Sequence, residues 1–307
     1  MPLVSSKKVL EYAREARFAV GAFNADNLEM VQAIIETARE ERAPVILQVS
    51  QGAIRYAGLS MAAGMVKIAS AQVDVPVVLH LDHGTSFEQN VRCLRQGFTS
   101  LMFDGSKLPY EENVAISKKV CEIAHIAGIP VEAELGRVLQ TKDSVTPEEG
   151  EAAMTDPDQA KEFIERTGAD SLAVAVGSVH AMKSRQATLD IPRIEAIRQK
   201  AGVPLVLLGS SGVRHESVAE AIEYGICKVN VATYLNQAFV RGMREGFEKH
   251  PDEVDPRKYL SISRENVKEA VREKIRLFKS NGRIGSSGGF VSLPTQYRSA
   301  DIGGAEE

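Results

Sequence analysis

The chain has 307 residues, of which 44% are hydrophobic and 25% are charged, a globular composition that excludes wholesale disorder. Lys and Arg total 37 against 41 for Asp and Glu, and the net charge of -4 argues against a nucleic-acid-binding protein. No apolar run approaches the roughly 20 residues of a membrane helix, and the N-terminal segment becomes charged too early for a signal peptide. The three cysteines form no CxxC pair, so we expect reduced thiols in a cytoplasmic protein that binds neither nucleic acid nor membranes.

Short apolar segments recur along the chain and predict eight strands. Each is rich in Val, Ile, Leu or Ala, which is typical of parallel strands that are buried on both faces. The segments lie at residues 18–23, 45–49, 75–81, 99–103, 129–133, 171–176, 205–208 and 226–231.

Segments with helical periodicity separate these strands. In the first of them, Asp26 followed by Glu29 predicts a capping box before an apolar stripe. The stripe consists of Leu28, Val31, Ile34, Ile35 and Ala38. Thr155-Asp156-Pro157 predicts the start of a later helix, and a C-terminal helix is predicted over residues 264–279.

Five of the later connections share one pattern, in which a helix is followed by a glycine, one or two residues and a strand. Glycine can adopt the left-handed conformation that ends a helix. The glycines are Gly97, Gly128, Gly168, Gly202 and Gly225. Eight strands with intervening helices predict an α/β fold, a single (β/α)8 TIM barrel over residues 1–284 with a C-terminal helical extension. A doubly wound open sheet is the structural alternative. Residues 285–307 are predicted to be a flexible Gly/Ser-rich tail.

Polar or phosphate-binding residues follow all eight predicted strands. Catalytic residues of a (β/α)8 barrel lie at the carboxyl ends of its strands, so this pattern favours an enzyme over a barrel built for stability alone. The residues are Asn24, Gln48, Ser50, Asp82, His83, Asp104, Glu134, His180, the segment 209–212, Asn230 and Thr233.

Two histidines that follow buried strands, His83 and His180, are candidate metal ligands. Neutral imidazole binds zinc and similar divalent ions. Strand alternation allows Asp104 and Glu134 to point into the same opening at the carboxyl ends of the strands, which we call the mouth of the barrel. For either histidine alone, the alternative is a hydrogen-bonded packing residue. His80 lies deeper in its strand, and we predict that it is either a core residue or a residue that contacts the metal ligands from behind.

The segment that contains Gly209, Ser210 and Ser211 predicts an anion site before a helix. Small residues let backbone N–H groups approach an anion, and the helix N-terminus favours negative charge. Asn230 and Thr233, at the eighth strand and the next helix start, are expected to line the second half of this anion site. We call the whole site the anion cup. Barrels recurrently hold phosphate after strands seven and eight. The alternative is an ordinary strand-to-helix turn that uses Gly and Ser for its geometry.

Five motifs in this order resemble those of the class II fructose-bisphosphate and tagatose-bisphosphate aldolases. They are LHLDHG at 79–84, MFDGS at 102–106, VEAELG at 131–136, GSVH at 177–180 and KVNVAT at 228–233, within a likeness from about residue 3 to 284. The resemblance implies a (β/α)8 barrel, a homodimer or homotetramer, and a divalent metal that is usually zinc. It also implies reversible aldol cleavage of a ketose bisphosphate, a phosphorylated sugar, to dihydroxyacetone phosphate and an aldehyde.

The resemblance further implies roles for single residues. His83 and His180 would bind the metal, and Asp82 would exchange a proton with the C4 hydroxyl during cleavage. Asp104 and Glu134 match acidic positions that orient the ligands or offer a second metal position. The expected substrate-binding residues are Asn24, Ser50, Gly209, Ser210, Ser211, Asn230 and Thr233.

The chain departs from the family pattern around the metal site. Leu208 stands where the family usually has its third histidine ligand, and leucine cannot bind a metal. Ala181 replaces a glycine, Lys183-Ser184 replaces Tyr-Lys, and LQTKD at 139–143 replaces Gly-Gly-x-Glu-Asp. The fold motifs are intact, so the pattern indicates an altered site with weakened metal binding.

Three interpretations stay open. Glu134 or Asp104 replaces the missing ligand in an active aldolase. Alternatively, the enzyme acts on a different ketose phosphate, whose anionic end is bound by Lys142, Lys183 or Arg137. In the third interpretation, the protein is a non-catalytic relative that binds a sugar phosphate or a protein partner.

Lys228 offers a further alternative, because strand alternation allows its side chain to point into the barrel. A buried lysine could form a Schiff base and act without a metal. We favour a structural ion pair, because the family that the chain resembles has a lysine there without imine chemistry.

Overall fold

The protein forms the predicted (β/α)8 barrel, in a computed structural model that describes residues 3–140, 147–180, 187–286 and 289–290. The eight barrel strands are β1 (Val20–Asn24), β2 (Val45–Ser50), β3 (Val77–Asp82), β4 (Leu101–Phe103), β5 (Val131–Leu135), β7 (Ser171–Val174), β9 (Leu205–Leu207) and β10 (Ile226–Val231). The two short strands β6 (Leu139–Gln140) and β8 (Val179–His180) form a separate parallel pair.

The strands follow chain order around the barrel, which excludes the doubly wound alternative. All pairs are parallel, and β1 pairs with both β2 and β10. Between β3 and β4 the sheet is closed by two isolated bridges, His80 with Ser100 and Gly84 with Phe103. The carboxyl ends of all eight strands therefore face one mouth.

Helices surround the strands. They are α1 (Ser6–Ala16), α2 (Leu28–Glu40), α3 (Gln51–Ala57), α4 (Leu59–Ser70), α5 (Phe87–Arg95), α6 (Tyr110–Ile126), α7 (Pro147–Ala153), α8 (Pro157–Thr167), α9 (Ile191–Ala201), α10 (His215–Tyr224), α11 (Thr233–Lys249) and α12 (Pro256–Leu277), with a 3-10 turn at Ser210–Gly212. Within the described ranges, no helix is both long and apolar enough to cross a membrane.

Alternate strand residues pack on opposite sides of the barrel wall, as the pleat of a strand requires. Phe23, Leu47 and Leu79 belong to the large apolar cluster between strands and helices. Their neighbours Ala22 and Ile46 belong to a smaller cluster with α1, so this helix closes the amino end of the barrel.

Local signals in the sequence locate six helix ends correctly. All five glycines named above have positive φ angles, from 70° to 134°. Asp156 caps α8, because its carboxylate accepts from the N–H groups of Asp158 and Gln159. These two signals are confirmed.

Other local predictions are wrong or lie outside the described residues. The residue that caps α2 is Asn27 and not Asp26, since Asn27 Oδ1 accepts from Met30 N at 2.9 Å. Leu28 is 49% exposed and lies outside the buried stripe, because it is the first residue of the helix. The C-terminal helix begins at Pro256, well before residue 264, because Asp255 caps it. Most of the predicted tail, residues 291–307, lies outside the described part of the chain.

Candidate active site

Three neighbouring strands bring Asn24, Gln48 and Asp82 together at the mouth. The β1–β2 register pairs Asn24 with Gln48, and the β2–β3 register pairs Ser50 with Asp82. Asn24 Nδ2 donates to Asp82 Oδ2 at 2.8 Å, and Gln48 Nε2 donates to Asn24 Oδ1 at 3.0 Å. The structure thus joins two of the predicted site residues, Asn24 and Asp82, directly. Ser50 caps α3, where its Oγ accepts from the N–H group of Ala53.

His83 directly follows β3 and has a backbone conformation that is rare for a residue with a side chain. Its φ angle is 50°, in the left-handed region, and Gln51 Nε2 donates to its carbonyl oxygen at 2.5 Å. The next residue, Gly84, has no room for a side chain, because a Cβ atom would lie 2.6 Å from the carbonyl oxygen of Met102. Strained backbone held in this way is typical of functional sites.

The imidazole of His83 meets two carboxylates from the next two strands. His83 Nδ1 lies 2.8 Å from Asp104 Oδ2 and 3.5 Å from Glu134 Oε2, and one ligand atom from each of the three residues lies within 4.8 Å of the others. Ser106 donates to Asp104 Oδ1 from both its N–H group and its hydroxyl. Glu134 Oε2 and Asp82 Oδ1 are buried without a hydrogen-bond partner among the described residues. Buried polar atoms in folded proteins are almost always satisfied, so these two oxygens indicate a place for a ligand.

The charges in this cluster shift one another's pKa values. Burial opposes the charged imidazole, but Asp82, Asp104 and Glu134 raise the pKa of His83 to about 10. Burial also opposes the carboxylate of Asp104, yet its hydrogen bond with His83 lowers the pKa of Asp104 below its ordinary value. Burial, followed by the charge of Asp104, raises the pKa of Glu134 to about 8. A metal ion at this cluster would compete with protons for His83 and Glu134.

One imidazole and two carboxylates form a set of donors that suits a divalent metal ion. Leu208 directly follows β9, and its side chain offers no metal-binding atom. It is fully buried in an apolar cluster that includes Met102, Ala173 and Val206. Leu208, at the position where the family resemblance implies a histidine ligand, therefore contributes apolar packing.

Several predicted features lie partly or wholly outside the described residues. The backbone of His180 is part of β8, where it pairs with Gln140, so His180 does not directly follow the barrel strand β7. The side chain of His180 is outside the described part of the chain. The same is true of Ala181, Lys183, Ser184 and the loop at 141–146, which includes Lys142.

The residues of the predicted anion cup lie where β9 and β10 end. Gly209 has a φ angle of 65°, the 3-10 turn of Ser210–Gly212 follows it, and Ser210 Oγ donates to the carbonyl oxygen of Asn230 at 2.6 Å. Thr233 is the first residue of α11, and α10 begins shortly after the 3-10 turn. The hydrogen bond of Ser210 thus joins both halves of the cup, and two helix N-termini lie beside it.

A buried ion pair lies deeper in the barrel. Lys228 Nζ is 2.8 and 3.0 Å from the two carboxylate oxygens of Glu132, and both side chains are at most 2% exposed. Lys228 Nζ also lies 3.4 Å from His80 Nε2, and His80 Nδ1 is 2.7 Å from Ser100 Oγ. Burial, with the charge of Lys228, lowers the pKa of His80 well below its ordinary value. The core position of His80 and the ion pair of Lys228 are both confirmed.

Sequence reasoning missed two residues that support the site. Glu132 alternates with Glu134 in VEAELG, and this spacing of two is the signal that could have identified it. Gln51 follows the strand-end residue Ser50, but its hydrogen bond to His83 joins residues 32 positions apart, across the β2–β3 connection, and leaves no local pattern.

The fold and the site together define a (β/α)8-barrel enzyme with a candidate metal centre beside a candidate anion site. The profile of the family described as "Fructose-bisphosphate aldolase class-II" matches residues 4–283. The chain therefore belongs to the class II fructose-bisphosphate aldolase family, as its motifs predicted. It is an aldehyde-lyase of the class II type, whose reaction is the reversible aldol cleavage of a ketose phosphate, and this family is metal-dependent.

Individual relatives agree with this assignment. The chain is 45% identical to the "Probable fructose-bisphosphate aldolase" of Bacillus subtilis, with 92% of this chain and 100% of that protein covered. It is 42% identical to the fructose-bisphosphate aldolase of Thermus caldophilus, with 92% and 99% covered. Among solved structures, the YdjI aldolase of Escherichia coli K12 superposes with a TM-score of 0.80 at 35% identity, covering 91% of this chain and 98% of that one.

Proposed function

We propose that this aldolase cleaves a ketose bisphosphate, with fructose 1,6-bisphosphate as the first candidate, to dihydroxyacetone phosphate and an aldehyde phosphate. The names of the relatives support the substrate. The observation that carries the proposal is the convergence of Asp82, His83, Asp104 and Glu134 on one mouth, where two buried carboxylate oxygens have no hydrogen-bond partner among the described residues. Nothing in the described ranges favours the non-catalytic alternative.

In this proposal His83, Asp104 and Glu134 hold a divalent ion, with zinc as the first candidate and His180 as a further ligand by its place in the family motif. When bound, the ion supplies a Lewis acid that polarises the ketone and stabilises the developing negative charge. Glu134 Oε2 accepts no hydrogen bond from the described residues, which supports the first interpretation of the Leu208 replacement, in which a carboxylate takes over from the missing histidine.

Asp82 moves the proton in this proposal. Its Oδ2 atom accepts from Asn24, and its Oδ1 atom is left to take the proton of the substrate C4 hydroxyl as the carbon–carbon bond breaks. In the reverse direction, Asp82 returns this proton to the new hydroxyl. Ser50 and Asn230 position the dihydroxyacetone part of the substrate on either side of β1.

The anion cup holds the phosphate of the dihydroxyacetone end. Gly209, Ser210 and Ser211 offer backbone and hydroxyl donors, and Thr233 adds a hydroxyl at the start of α11. The helix N-termini favour the phosphate charge. Its place after the last two barrel strands agrees with the recurrent phosphate site of this fold.

The test combines a metal measurement with a cleavage assay. We expect close to one zinc ion per chain by mass spectrometry and release of dihydroxyacetone phosphate from fructose or tagatose bisphosphate. Asp82→Asn should abolish cleavage, whereas the matched control Asp74→Asn, an exposed aspartate paired with Arg42, should leave it unchanged. A native protein that neither binds a divalent ion nor cleaves either substrate would refute the proposal.

The assembly and location of the protein are also proposed from the family alone. We propose a homodimer or homotetramer in the cytoplasm, without nucleic-acid or membrane partners. Light scattering on the purified protein tests the assembly, and a monomeric mass would contradict it.

A further inference from the structure

An amide network, made of Gln48, Asn24 and Asp82, crosses β2, β1 and β3 just below the mouth. Gln48 Nε2 donates to Asn24 Oδ1 at 3.0 Å, and Asn24 Nδ2 donates to Asp82 Oδ2 at 2.8 Å. Gln48 is 0% exposed, and Asn24 and Asp82 are each 6% exposed. Solvent therefore competes little with either hydrogen bond.

The carboxylate at the end of this network determines the direction of both hydrogen bonds. An ionised aspartate only accepts, so Asn24 must turn its amide nitrogen toward Asp82 and its oxygen toward Gln48. Gln48 must then present its own amide nitrogen to Asn24. Gln48 Oε1 is left buried without a partner among the described residues, which indicates that the contact with Asn24 dictates the orientation of the Gln48 amide.

This network fixes one carboxylate oxygen of Asp82 by a hydrogen bond and leaves the other oxygen available for proton exchange. Oδ2 accepts from Asn24, whereas Oδ1 is buried, has no hydrogen-bond partner in the described ranges and lies 3.8 Å from His83 Nε2. We propose that Gln48 is a positioning residue that acts through Asn24 to aim Asp82 Oδ1 at the C4 hydroxyl of the substrate. The inference rests on the proposed function, in which Asp82 exchanges that proton.

The position of Gln48 in the barrel supports a role beyond packing. On the same face of β2, the preceding inward residue is Ile46, which packs in an apolar cluster with α1. An apolar side chain would fill the Gln48 position without leaving an unpaired buried oxygen, which is costly. The amide therefore serves the contact with Asn24.

The first test separates proton exchange at C4 from the other half of the reaction. Gln48→Met keeps the length of the side chain and removes the donor. We expect kcat for cleavage to fall roughly 10- to 100-fold, because a catalytic group that is misplaced by about 1 Å costs this much, while KM stays within about twofold. In the proposed function Asp82 exchanges its proton at C4, so the rate at which the C3 hydrogen of dihydroxyacetone phosphate exchanges with solvent should remain near the native one.

A matched control and a mutant cycle complete this test. Gln89→Met makes the same change at an amide on α5 that donates to Cys93 Sγ, and it should leave both rates unchanged. In an Asn24→Ala background, Gln48→Met should have almost no further effect on kcat, because Gln48 acts through Asn24. Equal losses of cleavage and exchange in Gln48→Met, or full additivity with Asn24→Ala, would overturn the inference.

Failure of the inference and failure of the proposed function give different results. Absence of cleavage by the native protein would refute the proposed function. The effect of Gln48 on the hydrogen bond between Asn24 and Asp82 is tested without turnover, by NMR measurement of hydrogen exchange at the Asn24 side-chain amide. This exchange should be faster in Gln48→Met than in the native protein, and an unchanged rate would overturn the positioning role.

Discussion

The buried ion pair of Lys228 and Glu132 gives a quantitative prediction about stability. Replacing Lys228 with methionine would leave the Glu132 carboxylate in the barrel core without its countercharge. Breaking a buried pair from one side typically costs about 3–5 kcal/mol, because the remaining charge stays desolvated. The two short contacts and the exposures of 1% and 2% place this pair in that class. We therefore expect Lys228→Met to lower the free energy of unfolding by about 3–5 kcal/mol.

Urea unfolding followed by circular dichroism measures this loss. The matched control is Lys7→Met, since Lys7 pairs with Asp170 at 3.3 Å but is 57% exposed, and its loss should cost at most about 1 kcal/mol. The double variant Lys228→Met with Glu132→Leu should recover most of the stability, because it removes both charges together. Equal losses in Lys228→Met and Lys7→Met would refute the argument from burial.

The same pair bears on the Schiff-base alternative. A lysine whose ammonium group is held by a buried carboxylate is a poor nucleophile, since only the neutral amine attacks a ketone. Borohydride reduction in the presence of dihydroxyacetone phosphate should therefore leave Lys228 unmodified in peptide mass spectra. A covalent adduct on this residue would overturn the metal-dependent reading of the site.

Further predictions concern metal binding and local structure. Leu208→His should bind zinc more tightly in calorimetry if the mouth still accepts a third imidazole, and unchanged affinity would show a remodelled site. A divalent ion at about 100 times its Kd should stabilise the native protein by about 2.7 kcal/mol in thermal unfolding, and no shift would contradict the proposed metal site. Thr155→Val should cost roughly 1–3 kcal/mol in urea unfolding, because the N–H group of Ala175 loses its buried acceptor, and a neutral result would contradict this. Hydrogen bonding to Arg257 lowers the pKa of Asp255 to about 2, so its stabilisation of α12 is present above about pH 4 and is lost as the pH falls toward 2. The protection of the first turn of α12 against hydrogen exchange, relative to the intrinsic exchange rate at each pH, should fall over this range, and unchanged protection would contradict the cap.

Helix starts and stops show how far local sequence signals reach. Asp156 and the five glycines are identified correctly, because a cap depends on residues within one turn of it. For α2, the sequence predicts Asp26 as the cap, whereas the structure has Asn27. Both side chains can cap a helix, and the choice between them depends on where the helix begins. Element type is thus a local property, whereas a boundary is partly a tertiary one.

The sequence by itself determined the barrel, the family and most of the residues at its mouth. The apolar pattern that predicts a strand involves only neighbouring residues, and the carboxyl ends of parallel strands must meet at one edge of the sheet. For these two reasons, the sequence alone could group the strand-end residues Asp82, His83, Asp104 and Glu134. Only the tertiary structure decided which atoms face each other. The contact between Asn24 and Asp82 joins residues 58 positions apart, and the packing of Leu208 likewise depends on strand register and side-chain rotamers. These contacts are set by the closure of the whole barrel, and for this reason no local pattern of residues encodes them.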